Sequence, residues 1–418
     1  MRHFITPLLL TLFAGTAYPQ DWIQRADFPY PVYAPYGFSI GGRYFNGGGV
    51  TDIVPLALVD SFYEYNAGLD LWQHRTALPG PARYGTHGFS IGETNKGYVV
   101  CGWHNNIPQE QLSDLWEYDP GTDAWMQKAD FPGPPRYSLV SIGTSTKAYA
   151  GLGYNPWHDD WYEYDPITDT WTQKTSFPGG ARQAANAFVL NDEVYVGMGT
   201  ANGGLGTGTF FDDLYRYDAV SDTWVQLASL PALPRANSYS FSSCGLAYIV
   251  GGIGFDSFGV QDVFTDMWQY DAALDSWTQL PDFPGTPMNT GTSFNISSSG
   301  FMGFGGTGFE TASWVPDTLT GEFWELKGCA TPTEIADPGP SSAAAWSNGQ
   351  DILARWNATG TYDRFEVFDA LGRLDRTGRI ERSTALRVPL PGASGGVLLL
   401  RLSGPKAVAT VRIGHPSQ

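Results

Sequence analysis

Positive charge and metal-ligating side chains are scarce in this chain of 418 residues. It has 24 lysines and arginines against 42 aspartates and glutamates, which gives a formal net charge of −18. A chain this acidic repels the phosphates of nucleic acids and anionic lipids, so we expect neither as a partner. The six histidines form no close cluster, and we therefore expect no metal and no cofactor.

Cysteines are equally few. Cys101, Cys244 and Cys329 show no paired spacing of the metal-site kind. We expect Cys101 and Cys244 to be small buried thiols in strands. One disulfide with a thiol left over is the alternative.

Long apolar runs are missing, so we expect no transmembrane segment. The apolar stretch of residues 5–13 is too short to anchor a chain in a bilayer. It follows Arg2 and precedes small residues that end at Ala17, which is typical of a Sec signal peptide. We therefore expect residues 1–17 to be removed and the protein to be secreted.

The chain does contain one sequence motif that recurs at intervals of roughly fifty residues. Its clearest copy runs from Asp114 to Pro132. Trp116 and Tyr118 share one face of a strand, a turn follows, and Trp125 opens the returning strand. Further copies lie at residues 61–79, 160–178, 213–231 and 266–284, with a stump at 322–326.

Each copy follows another pair of strands that ends in glycines, such as Gly251 and Gly252. Four strands a unit and six units predict an all-β, six-bladed β-propeller. The last unit lacks its fourth strand, but the segment from Trp22 to Pro29 matches Trp125 to Pro132. We expect this amino-terminal strand to complete the sixth blade and remove an exposed edge.

These motifs, namely the double glycine, the aromatic-Tyr-Asp strand, the spaced Trp, and then Pro and Arg, closely resemble the kelch repeat. The resemblance covers residues 21–328 and implies a propeller similar in repeat type to sialic acid mutarotases and to the central domain of galactose oxidase. We place this domain at residues 18–330. Some units depart from the pattern, with Tyr63 and Asn66 in the first, Cys101 in the second and Leu326 in the sixth.

The tail has a different composition. Residues 18–334 carry 13 basic against 35 acidic residues, whereas residues 335–418 carry 10 against 7. Residues 331–343 are typical of a linker, and short apolar strands in residues 344–418 predict a small β-sandwich.

Within this tail, the motifs at residues 367–373, 390–396 and 410–413 resemble the carboxy-terminal sorting domain of the type IX secretion system of Bacteroidota. The resemblance implies that the domain engages the outer-membrane secretion machinery. Release or attachment at the cell surface would follow. An accessory immunoglobulin-like domain is the alternative.

Four arginines recur after the proline turns: Arg83, Arg136, Arg182 and Arg235. They are missing at the matching positions of the first and sixth units. Repetition favours a role in the scaffold, with each arginine bonded to neighbouring blade carbonyls. The functional alternative is a cationic patch that binds carboxylates or sulfates.

Aromatic residues in two successive loops provide a second candidate site. These loops join the second and third strands of a blade and should share a face with the connections between blades, where ligands bind. They hold Trp103 with His104, and Tyr154 with Trp157 and His158. Such residues suit a sugar or peptide platform, and packing over the blade edge explains them equally well.

We therefore predict a secreted or cell-surface propeller that binds a carbohydrate or protein ligand without catalysis. One alternative is a mutarotase or epimerase of an acidic sugar such as sialic acid, which needs an acid–base pair in the channel. A second is a structural or adhesive surface protein. Copper oxidase chemistry is disfavoured, because no pair of histidines lies at matching positions.

Overall fold

A computed structural model describes the protein as two compact units, Met1–Cys329 and Ala330–Gln418. In the first unit it describes residues 21–105, 110–201, 208–308 and 316–328. In the second it describes residues 343–347, 351–356, 363–368, 374–380, 385–389, 396–403 and 408–415. The predicted signal peptide, and the predicted linker except its last residue, lie outside these ranges. No helix in them is long and apolar enough to cross a membrane.

The first unit consists of six four-stranded antiparallel sheets, and the predicted six-bladed propeller is confirmed. From the innermost to the outermost strand, blade 1 contains Tyr36–Ile40, Arg43–Gly47, Phe62–Asn66 and Leu71–Arg75; blade 2 contains His87–Ile91, Lys96–His104, Glu110–Asp119 and Ala124–Lys128; and blade 3 contains Val140–Gly143, Ala148–Gly151, Trp161–Asp165 and Thr170–Lys174. Blade 4 contains Asn186–Leu190, Glu193–Gly197, Leu214–Asp218 and Thr223–Leu227; blade 5 contains Tyr239–Ser243, Leu246–Phe255, Gln261–Asp271 and Ser276–Leu280; and blade 6 contains Thr292–Ile296, Ser299–Thr307, Thr318–Leu326 and Trp22–Gln24.

Shorter elements accompany the blades, and one of them is the 3-10 helix Gly92–Thr94 between the first two strands of blade 2. Arg235–Ala236 also pairs with the second strand of blade 5. Small hairpins in the loops of blades 1 and 4 are formed by Val50–Ile53 with Leu56–Leu58 and by Thr200–Ala201 with Thr209–Phe210.

The amino-terminal strand closes the ring, as the sequence predicts. Trp22 lies opposite Leu326, and Gln24 lies opposite Trp324. The Trp22 ring packs edge-on against Phe283 of blade 5, with 5.0 Å between the ring centroids. Phe28, which follows this strand, is buried in the core between blades 6 and 1. Both ends of the repeat region are therefore held in one sheet.

A closed ring of backbone hydrogen bonds joins the six blades around the axis. One residue a blade, just before the innermost strand, has a left-handed backbone, with φ between 50° and 62°. Each donates its N–H to the carbonyl of the equivalent residue in the preceding blade, over 2.6–3.3 Å. In order, these ring residues are Ala34, Gly85, Ser138, Ala184, Asn237 and Thr290.

A polar clamp repeats farther from the axis and accounts for the recurrent Tyr, Asp and Trp. The Tyr118 hydroxyl donates to Asp123 over 2.6 Å, and the same Asp123 oxygen accepts the Thr76 N–H of the preceding blade over 3.1 Å. Trp125 Nε1 donates to the Thr76 carbonyl over 2.8 Å. The equivalent trios are Tyr65, Asp70 and Trp72; Tyr164, Asp169 and Trp171; Tyr217, Asp222 and Trp224; and Tyr270, Asp275 and Trp277. In blade 6, Leu326 has no hydroxyl with which to complete a clamp.

The predicted double glycine proves to be two positions with different requirements. The first position has φ near 60° and holds glycine only at Gly48 and Gly251; Cys101, Leu152, Met198 and Phe304 occupy it elsewhere. The second has φ between 93° and 110° and is glycine in all six blades. A Cβ at Gly305 would lie 2.1 Å from the Asn289 carbonyl. Only the second position therefore requires glycine.

The second unit is also built of strands. Ala343–Ser347, Asp351–Trp356 and Ala385–Pro389 form a three-stranded sheet. Leu374–Arg379, Arg364–Phe368, Gly396–Ser403 and Val408–His415 form a four-stranded sheet in that order. The all-β fold class is confirmed for the described parts of both units.

Deletion of residues 21–29 should open the ring. The deletion removes the outermost strand of blade 6 and the buried Phe28 side chain, and it exposes the edge of Thr318–Leu326. We expect a large drop in the melting temperature, measured by differential scanning calorimetry. A deletion variant that melts like the parent chain would contradict this account of closure.

Candidate functional site

The variable loops and the connections between blades lie on one face of the propeller, here called the loop face. Isolated bridges join five of the connections to the neighbouring loop stem of the same blade, and in blade 5 the strand Arg235–Ala236 makes the equivalent pairing. The bridges pair Tyr33 with Val50, Tyr84 with Trp103, Tyr137 with Tyr154, Gln183 with Thr200 and Asn289 with Gly306. The expectation that these segments share a face agrees with this geometry.

The four recurrent arginines lie inside the blades rather than on the loop face. At most 1% of each residue is exposed. Arg136 Nη1 and Nη2 donate to the two carboxylate oxygens of Asp160, in the same blade, over 2.5 and 2.8 Å. The equivalent pairs are Arg83 with Asp114, Arg182 with Asp213 and Arg235 with Asp266.

Each guanidinium also makes hydrogen bonds to backbone carbonyls of its own blade. Arg136 Nη1 donates to the Leu152 carbonyl over 2.9 Å, and the group stacks on Phe131 at 4.9 Å. The Arg136 carbonyl accepts the Gly102 N–H of the preceding blade over 2.9 Å. The arginines are therefore part of the scaffold, and the alternative of a cationic patch is wrong because no guanidinium reaches solvent.

The loop face carries charge of the opposite sign. The predicted loops, residues 50–59, 103–113, 154–159, 200–211, 253–265 and 307–320, contain no lysine or arginine. They contain seven acidic residues: Asp52, Glu110, Asp159, Asp256, Asp262, Glu310 and Asp317. An anionic ligand gains no charge attraction from these loop sequences.

The predicted aromatic residues belong to one continuous arc on the loop face. Trp103 contacts Tyr84 with 5.2 Å between centroids, and Tyr84 contacts Tyr137 at 6.0 Å. Tyr137 contacts Tyr154 at 5.5 Å, and Tyr154 contacts Trp157 at 4.9 Å. All five side chains are half-buried. We call these five residues the aromatic arc.

Two members of the arc, Tyr84 and Tyr137, were not predicted. Each directly follows a buried arginine, and the matching positions of other blades hold Tyr33, Gln183 and Asn289. The sequence did contain a sign of these two residues, since the position directly after the repeated arginine differs from one copy to the next. Trp103 and His104 end the strand Lys96–His104 and do not lie in a loop as predicted, because the hairpin of blade 2 extends beyond the sheet.

Unpartnered polar atoms lie at one end of the arc. Trp157 Nε1 and His158 Nε2 are both buried and have no hydrogen-bond partner within the protein. Burial, together with the nearby Arg136 charge, lowers the pKa of His158. His104 is buried, and Asn105 Nδ2 donates to the Leu56 carbonyl of blade 1 over 3.0 Å. Of the two predicted histidines, His158 is the one with a buried ring nitrogen that has no hydrogen-bond partner within the protein.

The tyrosines near the channel mouth remain neutral hydrogen-bonding groups. Burial raises the pKa of Tyr84 to about 12 and raises that of Tyr137 further. Burial also raises the pKa of Tyr33, whose hydroxyl bonds the Thr290 side chain. A phenol in this state both donates and accepts a hydrogen bond.

Below the ring of backbone hydrogen bonds, the innermost strands enclose a central channel with a cavity volume of about 250 Å³. Serine hydroxyls join neighbouring innermost strands. Ser240 donates to the Ala187 carbonyl over 2.9 Å, and Ser242 donates to the Val189 carbonyl over 2.6 Å. The channel surface is consequently rich in hydroxyl and amide groups.

His87 is the one ionisable side chain among the described residues that line this channel. Water inside the channel can reach the imidazole, but the channel walls surround it and separate it from bulk solvent. This desolvation lowers the pKa of His87 to about 4. The ring is therefore neutral at pH 7, with one donor and one acceptor nitrogen.

The cysteines differ from one another. Cys101 is a buried free thiol in a strand, as expected. The prediction for Cys244 is wrong, because this residue is exposed in a turn and is disulfide-bonded. In the described residues, no group of three or more His, Cys, Asp or Glu side chains could hold a metal ion.

Comparisons with known proteins give short sequence matches and a longer structural match. No family model matches it. N-acetylneuraminate epimerase 1 of Escherichia coli O6:H1 is 30% identical over 92 residues, which are 22% of this chain and 25% of that protein. N-acetylneuraminate epimerase of Escherichia coli K12 is 35% identical over 78 residues, which are 18% of this chain and 21% of that protein. The chain thus spans a quarter or less of the length of these curated relatives.

A solved structure provides a longer match. The structure of YjhT covers 71% of this chain and 95% of its own, with a TM-score of 0.59 and 17% sequence identity. At this identity the likeness shows a common propeller fold.

Substitution of a buried arginine should cost stability. Arg136→Met leaves the largely buried Asp160 without its cation, and we expect a loss of about 3–5 kcal/mol in the free energy of unfolding. The control Lys96→Met breaks the more exposed pair with Asp119 and should cost about 1 kcal/mol or less. Urea denaturation measures both. A stable Arg136→Met protein that loses only ligand binding would contradict the scaffold role.

The pH dependence of folding stability and of the NMR spectrum should show the lowered pKa of His87. Its folded pKa of about 4 lies below the unfolded value of 6.5, so the unfolded chain binds the proton first. Between these values the His87 contribution to stability falls as the pH falls. We expect a histidine NMR resonance that titrates near pH 4 and is absent in His87→Val. This variant should also lose stability less steeply between pH 6.5 and pH 4. A His87 resonance that titrates near 6.5 would contradict the account.

Proposed function

We propose that this protein binds neutral carbohydrate on its loop face, at the aromatic arc, without catalysis. The main support for this proposal is the continuous arc of five half-buried rings, which ends at the unpartnered Trp157 Nε1 and His158 Nε2. Rings provide the apolar faces on which sugar rings stack. Neighbouring phenol, indole and imidazole groups exchange hydrogen bonds with sugar hydroxyls.

The charge distribution supports a neutral ligand over an acidic one. The guanidinium groups of the recurrent arginines are paired with largely buried aspartates of the same blades. The loop sequences supply acidic residues and no basic ones. A carboxylate-bearing sugar would therefore approach a negative face, and this approach costs free energy.

A second candidate is the interconversion of sugar anomers in the channel. It is favoured by the short matches to proteins named N-acetylneuraminate epimerase and by the imidazole of His87 in the channel wall. Anomer exchange needs one group that removes a proton and one that supplies it. His87 provides one such group. Faster exchange of N-acetylneuraminic acid anomers in the presence of the protein, followed by NMR, would favour this candidate.

We further propose that the protein is exported and acts outside the cytoplasm. The signal-like residues 1–17 and the resemblance of residues 344–418 to a sorting domain motivate this proposal. The disulfide at Cys244 supports it, because disulfides persist in oxidising compartments. On this basis the ligand is a glycan met at the cell surface or in the surrounding medium.

A glycan array with the full chain tests the binding proposal. We expect neutral glycans to bind, and Tyr84→Ala, Tyr137→Ala and Trp157→Ala each to weaken binding about fivefold or more, because each removes one stacking ring of about 1 kcal/mol. The control Ile167→Ala changes an exposed turn between the third and fourth strands of blade 3 and should leave binding unchanged. A blank array, or binding unaffected by all three arc substitutions, would contradict the proposal.

A further inference from the structure

One register position in the innermost strands alternates between polar and apolar residues around the channel. It is the second residue after each ring residue. In blades 2, 4 and 6 this position holds His87, Asn186 and Thr292, all of which line the channel. In blades 1, 3 and 5 it holds Tyr36, Val140 and Tyr239, which are buried, and of these three only Val140 also lines the channel. Three polar side chains thus lie at one level of the channel, in alternate blades, and we call them the channel triad.

Asn186 has hydrogen-bonding capacity that the protein does not use. The residue is 4% exposed, and its Nδ2 donates to the Ser238 carbonyl of the next blade over 2.6 Å. This bond fixes the orientation of the amide, while its Oδ1 has no partner. A buried acceptor without a partner costs free energy unless water or a ligand donates to it.

Thr292 belongs to a polar cluster that occurs at only one junction between blades. Its hydroxyl and that of Tyr44 bond each other, and Asn46 Oδ1, which lies 3.2 Å from the first and 2.9 Å from the second, accepts the proton that this bond leaves over. In the other five blades the positions of Tyr44 and Asn46 hold only Gly, Ala, Val, Ile or Met. Asn46 is fully buried, and its Nδ2 has no partner.

The space at this junction is shaped around the Tyr44 hydroxyl. A Cβ at Gly37, a residue of the channel wall, would lie 2.1 Å from the Tyr44 oxygen. The absence of a side chain at Gly37 lets the hydroxyl reach the wall. The Tyr44 ring is held by stacking on Phe294 at 3.4 Å between centroids.

His87 completes the triad from blade 2. Its side chain is exposed to the channel, and neutral imidazole presents one donor and one acceptor. The triad and its supporting cluster therefore combine donors with acceptors and carry no charge. Among the described residues that line the channel, no carboxylate, ammonium or guanidinium would recognise an ion. Hydroxyl groups, which donate and accept at once, match this surface.

We propose that the channel triad forms a second subsite, which takes one neutral polyhydroxylated unit, such as the terminal sugar of a glycan held at the aromatic arc. This inference rests on the proposed carbohydrate binding and adds the depth at which the ligand ends. The cavity of about 250 Å³ has room for one small ring rather than for an oligosaccharide. The arc lies above the ring of backbone hydrogen bonds and the triad below it.

The test uses the full chain at pH 7 with a fixed set of probes. Glucose, galactose, N-acetylglucosamine and their β-linked trisaccharides are the neutral probes, and glucuronic acid is the charged counterpart. Isothermal titration calorimetry gives Kd, and NMR follows the ring resonances of His87. We expect His87→Val and Asn186→Val, which install the residue of the same position in blade 3, to raise Kd about tenfold for at least one neutral probe.

Tyr36→Phe is the matched control. Tyr36 has the same register position in blade 1 but does not line the channel, and its buried hydroxyl has no partner. The control should leave Kd unchanged. The proposal also expects that the bound probe shifts the His87 resonances and that glucuronic acid binds no tighter than glucose.

The outcomes separate this subsite from the proposed function. Trisaccharide binding that depends on Tyr84 and Tyr137 but not on His87 or Asn186 would overturn the channel subsite and leave the arc. Binding that depends on His87 and Asn186 alone would support the subsite and contradict the arc. Failure of every probe to bind, or tighter binding of glucuronic acid, would overturn the inference.

Discussion

The ring of six backbone hydrogen bonds around the axis fixes the geometry on which every proposed site depends. Its members, from Ala34 to Thr290, take left-handed backbones that cost most non-glycine residues free energy, and the closed set of bonds between blades holds them there. The residue before each member pairs with or lies beside a loop stem, and in blades 2, 4 and 6 the residue two positions after it lines the channel at one level. A single turn, repeated six times, thus sets both the channel mouth and the channel wall.

Most of the repeated residues hold the scaffold together, either within a blade or between neighbouring blades. The arginines bind aspartates and carbonyls inside their blades, the clamps built on residues such as Tyr118 and Trp125 tie each blade to the preceding one, and the invariant glycine lets backbones approach. Such interactions suit repetition, because every junction has the same geometry. Recognition of a ligand instead requires asymmetry. The arc in blades 2 and 3 and the polar cluster at Tyr44 are the places where the copies differ.

The burial of the arginines also decides the electrostatics of the proposed site. A row of recurrent arginines near the loops suggests an anion-binding face, yet each guanidinium is neutralised within about 3 Å by its own aspartate. What remains on the loop face is the acidic charge of the loops and a set of neutral rings. Together with the neutral His87, this favours uncharged hydroxylated ligands over acidic ones.

The sequence by itself determined the all-β class, the six blades, the four strands in each and the closure by Trp22, because these follow from a period and from local turn and strand preferences. It also led to Trp103, Tyr154 and Trp157, which vary between copies. Only the tertiary structure decided that Arg83 and its equivalents are buried, that Tyr84 and Tyr137 join the aromatics into an arc, and that His87, Asn186 and Thr292 share a level in the channel. Those facts depend on contacts between separated residues, such as Arg136 with Asp160 and Tyr84 with Tyr137, and no local pattern encodes which partner a side chain meets when the ring closes.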